Sequence, residues 1–200
     1  MAKHIPILLI LSRLLFAGVI GLLIPPRSFD STSIVIALLY VGILSDIFDG
    51  IIARKLNIST QRLRLLDTVV DLVFYISLLL YIMQRSPSIW SNNRVLIIAI
   101  LALEGAMYII SLFRFNKFPS PHAILSKFWG IYLVIEFTLL LLGVPGSHFQ
   151  IALYFGLGTH IDRVLIYSLI RTWDHDIPSS YHAFLLRQGK PIERRKLFNG

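Results

Sequence analysis

No cysteine occurs among the 200 residues. Neither a disulfide nor a thiolate metal site is available, and nothing marks a redox compartment. Charge is scarce too: Asp, Glu, Lys and Arg together make up 15%, where a soluble domain carries roughly 25%. With 56% hydrophobic residues and a mean hydropathy of +0.72, that shortage excludes an ordinary soluble fold. Negative charge is the scarcer sign, 11 acidic residues against 19 Lys and Arg, for a net charge of +8. In a membrane protein such an excess points to cytoplasmic loops facing anionic headgroups. Nucleic acid is not an expected partner, since no soluble domain remains to form a groove. No H-x3-H pair occurs, so His4, His122, His148, His160, His175 and His182 are read as non-ligands.

What is abundant is apolar length. A membrane-spanning helix needs about 20 mostly apolar residues, and six stretches qualify: 5–24, 32–53, 65–83, 94–114, 124–144 and 149–171. Polar or helix-breaking segments separate them, "PPRSFDS", "RKLNISTQ", "RSPSIWSNN", "FNKFPSPH" and "VPGSH". The first run is too long for a signal-peptide core, is interrupted by Arg13 and lacks an A-x-A site, so it is read as a retained helix. With the N-terminus cytoplasmic, that side collects Lys3, Arg54, Lys55, Arg62, Arg64, Arg114, Lys117, Lys127, Arg171, Arg187, Lys190, Arg194, Arg195 and Lys196. The other side holds only Arg27, Arg85 and Arg94. This asymmetry predicts an all-α integral membrane protein with six transmembrane helices and both termini cytoplasmic. Trp90, Trp129 and Trp173 fall near the predicted helix ends, as an aromatic belt does. Residues 1–171 form the membrane domain in this reading, and 172–200 a basic cytoplasmic tail. In the tail, Pro178 with Ser179 or Ser180 starts a short amphipathic helix that Gly189 and Pro191 end; the alternative is an irregular basic tail.

The scarce acids are not scattered. "SDIFDGIIARKLNISTQRLRLLDTVVD" holds four of the eight aspartates at the facing ends of the second and third apolar runs. Asp46 and Asp49 are i,i+3, and Asp67 and Asp71 are i,i+4, so each pair shares one helix face. Two antiparallel neighbours joined by a short turn aim both pairs at one point. Carboxylates gathered near hydrocarbon need pairing or a metal. Hard oxygen ligands without His or Cys suit Mg2+, Mn2+ or Ca2+. Two such ions about 4 Å apart form a clamp for phosphoryl chemistry. Gly50 and Ala53 leave room for a ligand to approach the helix, and Arg54 offers a fixed charge to a phosphate. The alternative is that these aspartates are interfacial and paired with the many nearby arginines.

The spacing resembles the signature of the CDP-alcohol phosphotransferase (phosphatidyltransferase) family, D-x2-D-G-x2-A-R-x8-G-x3-D-x3-D. Asp46, Asp49, Gly50, Ala53, Arg54, Asp67 and Asp71 match, while Leu63 stands where the second glycine falls. A first-helix pattern common in that family is kept at Pro6 and Arg13 but is apolar at Ile7 and Ile10, which marks a divergent member. The resemblance implies a phospholipid-synthesising phosphatidyltransferase that joins the phosphatidyl group of CDP-diacylglycerol to an alcohol and releases CMP. By position, Asp46, Asp49 and Asp67 are implied metal ligands for two divalent cations, Mg2+ or Mn2+, and Asp71 the general base and a further metal contact. Asp49, Gly50, Ala53 and Arg54 are implied to line the nucleotide site. The implied setting is the inner (plasma) membrane of a bacterium, with the active site facing the cytoplasm, membrane lipids around it and a second copy as partner in a homodimer.

The acceptor alcohol is not written in the motif. The basic cytoplasmic rim tilts the expectation toward a phosphorylated polyol such as glycerol 3-phosphate, with Arg114, Lys127 and Arg171 as acceptor-binding candidates and Lys117 and His122 behind them. Each has a plainer reading as a cationic anchor at the headgroups. Within the predicted spans, Arg13 is placed to neutralise an active-site carboxylate. Glu104 is expected in a structural pair, and the adjacent Asp162 and Arg163 point in different directions. Two other functions stay open on the sequence: a cation-binding carrier using the same acids, and a catalytically silent relative. A carrier, however, places its carboxylates near the bilayer midplane.

Overall fold

The computed structural model describes residues 4–24, 30–56, 58, 60–120 and 123–192. Of the residues weighed above, Lys3, Arg27, His122, Arg194, Arg195 and Lys196 lie outside them. Seven helices and no strand are found among the described residues: α1 (Ile5–Leu23), α2 (Thr32–Lys55), α3 (Gln61–Arg85), α4 (Pro87–Phe115), α5 (Ile124–Leu141), α6 (Phe149–Leu169) and α7 (Ser180–Arg187). The first five are long and apolar enough to cross a membrane. Helix α6 matches them in length, but Thr159, His160, Asp162 and Arg163 lower its hydropathy below theirs.

The helices run past the apolar windows where a terminus signal allows it. Thr60 caps α3, its Oγ1 accepting Leu63 N–H at 3.2 Å, so α3 starts four residues before the apolar run. Pro87, with no N–H to leave unpaired, opens α4 seven residues early. Helix α5 ends before its window does. Gly143 at φ +80° turns the chain, with Val144 N–H on Leu139 O and Gly143 N–H on Leu140 O closing the end. Gly189 at φ +79° ends α7 by the same pair of bonds, onto Leu186 and Leu185.

The chain divides into two compact units, residues 1–92 with 137–144, and residues 93–136 with 145–200. In the first, α1 packs against α2 and α3. Its buried residues Pro6, Ile10, Arg13, Ala17 and Ile20 fall every three or four positions, one stripe of the helix. Helix α2 buries Val35, Leu39, Gly42, Ser45, Asp49 and Ala53 in the same rhythm. Helix α3 buries Val70, Phe74, Leu78 and Tyr81. The Phe74 ring lies against α2 at Gly42, where an added Cβ would stand 2.5 Å from Phe74 Cζ. At the far end Ser31 Oγ and Tyr81 OH share a hydrogen bond of 2.8 Å. The outward faces are apolar as well: Leu8, Leu15, Leu22, Leu44 and Phe48 are exposed, as expected of helices solvated by lipid.

The second unit buries Met107, Ala123, Ile166, Tyr167, Ile170, Ile177 and Ala183 in one cluster, with α7 docked on α6. Its charges are paired inward. Arg163 grips both oxygens of Glu104, at 2.6 and 3.1 Å, and His160 Nε2 approaches the same carboxylate at 3.4 Å. Asp162 points elsewhere and accepts Ser180 N–H at 2.8 Å, doing for α7 what its own N-cap Ser179 does not.

Candidate active site

Asp46, Asp49 and Ala53 recur on one face of α2, and Asp67 and Asp71 on one face of α3; the helix spacing alone aligns each set. Helix α1 supplies a buried positive charge. Arg13 sits in the middle of the buried stripe of α1 and reaches all four carboxylates. Its Nη1 bonds Asp46 Oδ1 at 3.1 Å and also Asp71 Oδ1. Its Nη2 bonds Asp67 Oδ1 at 2.6 Å and also Asp49 Oδ2. Each terminal nitrogen thus ties one aspartate of α2 to one of α3.

The cluster has a closed and an open side. The side chains of Arg13 and Asp49 are 1% and 5% exposed, those of Asp46, Asp67 and Asp71 46%, 29% and 30%. The guanidinium approaches from within, and the carboxylates open outward. Four carboxylates face a single guanidinium, an excess of acidic over basic groups in the contact set. Such an excess next to apolar helices calls for further cations. The donors fit a hard divalent ion: Asp46, Asp49 and Asp67 each offer a carboxylate oxygen, all within 4.8 Å of one another. Along α2 the Arg54 guanidinium folds back over Gly50, its Nη1 3.4 Å from where a Cβ would stand. Ala53 is buried beside it. Leu63, at the third position of α3, lies one turn before Asp67 on the same face.

The structure therefore brings Asp46, Asp49, Asp67 and Asp71 together, with Gly50, Ala53 and Arg54 adjoining on α2. Arg13 contacts all four aspartates, where neutralisation of one carboxylate is expected from the sequence. The available signal was an arginine on a helix with no acid of its own, which must look to neighbouring helices for partners. Arg114, Lys127 and Arg171 belong to the other unit. Arg114 donates to the carbonyls of Tyr167, Ser168 and Ile170 at 2.5, 2.7 and 2.9 Å, closing the C-terminal end of α6. Lys127 and Arg171 are exposed, and Lys117 lies 4.8 Å from the ring centre of Trp173. His160 is engaged by Glu104 and the Gly156 carbonyl.

Comparison with known proteins identifies the family. A family model described as CDP-alcohol phosphatidyltransferase matches residues 3–166, which include Arg13 and all four aspartates. The chain is 29% identical over 143 residues to a CDP-diacylglycerol–glycerol-3-phosphate 3-phosphatidyltransferase of Aquifex aeolicus (strain VF5), covering 70% of this chain and 76% of that one. No solved structure matches. The chain belongs to the CDP-alcohol phosphatidyltransferase family and is an integral membrane enzyme of phospholipid synthesis.

Proposed function

We propose that this enzyme transfers the phosphatidyl group of CDP-diacylglycerol to glycerol 3-phosphate and releases CMP. The observation that carries the reading is the convergence of Asp46, Asp49, Asp67 and Asp71 on one point of the first unit. The choice of acceptor is supported by the name of the Aquifex relative. We assign two divalent cations, Mg2+ or Mn2+, to the four aspartates. When bound, they would neutralise the diphosphate of the donor and the departing CMP.

The chain's own residues divide the remaining work. Asp46, Asp49 and Asp67 form the group whose oxygens lie within 4.8 Å of one another. Asp71, outside that group and one turn deeper on α3, is the assigned general base. It takes the proton of the acceptor hydroxyl as the hydroxyl oxygen bonds to the lipid-side phosphorus. The bond from that phosphorus to the CMP oxygen breaks, and CMP leaves with the electron pair. Asp49, Gly50, Ala53 and Arg54 are assigned to the nucleotide, with Arg54 as its phosphate partner. Lys127 and Arg171 are assigned to the phosphate of the acceptor. Arg114 serves them by holding the end of α6, which Arg171 follows two residues after Leu169.

In this reading α6 is the sixth span, both termini and the acid cluster face the cytoplasm of a bacterial inner membrane, and the enzyme is a homodimer. The basic residues grouped on one side of the predicted topology support the orientation. The test is purified protein with CDP-diacylglycerol, Mg2+ or Mn2+ and a panel of alcohols, scored for CMP and for the lipid product. Glycerol 3-phosphate-dependent CMP release is expected, lost by about 10²–10⁴-fold in Asp71→Asn. Release with another acceptor alone would overturn the substrate, and none with any acceptor the reaction.

A further inference from the structure

Arg13 is an unusual neighbour for a cation site. It is 1% exposed, it touches all four carboxylates, and its Nε donates to no group among the described residues. Its terminal nitrogens are shared evenly, one aspartate from α2 and one from α3 each. No other charged residue lies on α1. The guanidinium thus contacts all four acids of the set at once.

We propose that Arg13 is the resident counter-charge of the acid cluster and an antagonist of the divalent cations that the same carboxylates bind. The proposal rests on reading the cluster as a cation site. In the cation-free enzyme the guanidinium offsets repulsion among carboxylates crowded within a few ångströms, and holds α2 and α3 in register through their acids. When a divalent ion enters from the open side, the same oxygens are shared between two positive partners. Charge interaction scales with the product of the charges, so a divalent ion beside the guanidinium is repelled twice as strongly as a monovalent one. What stabilises the empty site therefore opposes the filled one. By linkage the effect is reciprocal: cations loosen the grip of Arg13, and Arg13 weakens the cations. The consequence is a site that stays assembled while empty and releases its ions instead of trapping them.

The test is Mn2+ binding to purified protein by calorimetry, with thermal unfolding followed in parallel with and without Mn2+. Wild type, Arg13→Met, Arg13→Lys and Asp49→Asn are purified in Mg2+ and then stripped with a chelator. Arg13→Met is expected to bind Mn2+ about 5–150-fold more tightly than wild type, the usual span of a coupling between two ligands. Its cation-free form melts lower, so Mn2+ raises its melting temperature by more. Arg13→Lys, which keeps the charge without the fork, falls between. A folded Arg13→Met that binds Mn2+ with equal or lower affinity overturns the antagonism. If Arg13→Met does not fold, Arg13→Lys decides by the same criterion. Wild type that binds no Mn2+, or Asp49→Asn that binds as well as wild type, overturns the cation site itself.

Discussion

Substituting Gly42→Ala tests the close approach of the Phe74 ring of α3 to α2 at Gly42. The added methyl would stand 2.5 Å from Phe74 Cζ and 2.9 Å from Phe74 Cε1. Ordinary carbon contacts are about 3.5–4.0 Å, so one side must yield by about 1 Å. The ring has little freedom, being 1% exposed and packed edge-on to Tyr75 at 5.7 Å between centroids. Overpacking of this kind costs about 1–3 kcal/mol. The strain falls next to the site: Ser45 and Asp49 continue the Gly42 stripe, and Phe74 is one turn past Asp71. Unfolding by SDS in mixed micelles should show the loss of stability, and CMP release should fall with it. Phe74→Leu removes the offending ring atoms. The double variant should therefore be more stable than the sum of the single changes by about 0.5–3 kcal/mol. A Gly42→Ala protein as stable as wild type, or strict additivity in the double variant, would refute the reasoning.

Three further outcomes follow from the second unit and the α3 cap. Arg163→Met leaves the half-buried Glu104 carboxylate without its bidentate partner, with His160 still beside it, and should destabilise the protein by up to about 3–5 kcal/mol in the same SDS titration. Asp162→Ala removes the acceptor for Ser180 N–H; hydrogen exchange in α7 should rise, at a cost of about 0.5–2 kcal/mol, with CMP release unchanged. Thr60→Ala should cost a similar amount and fray the first turn of α3, seen as faster exchange at Leu63.

The helices were legible because lipid-facing segments are written in composition: each of the first five apolar windows lies largely within a helix observed to be long and apolar enough to span. Their ends were less so, since Thr60 and Pro87 extend helices into polar sequence and Gly143 stops one inside apolar sequence. The acid cluster was legible for a local reason, as spacings of three and four place side chains on one face whatever surrounds them. The part played by Arg13 was not, because it depends on how α1 docks on α2 and α3, which no local spacing encodes. Arg114 shows the same limit. Its position at a helix end is equally good for a substrate phosphate and for the carbonyls it actually binds. Glu104 and Arg163, 59 residues apart, announce that each needs a partner but not which.

The most direct test of the central claim is cation-dependent turnover at the four aspartates. Protein stripped of divalent ions would be given CDP-diacylglycerol and glycerol 3-phosphate, and CMP followed as Mg2+ or Mn2+ is titrated into wild type and Asp67→Asn. The account predicts no release without cations, saturable recovery in wild type, and at most a small, right-shifted recovery in Asp67→Asn. Full turnover in the stripped enzyme, or identical titrations for the two proteins, would contradict it.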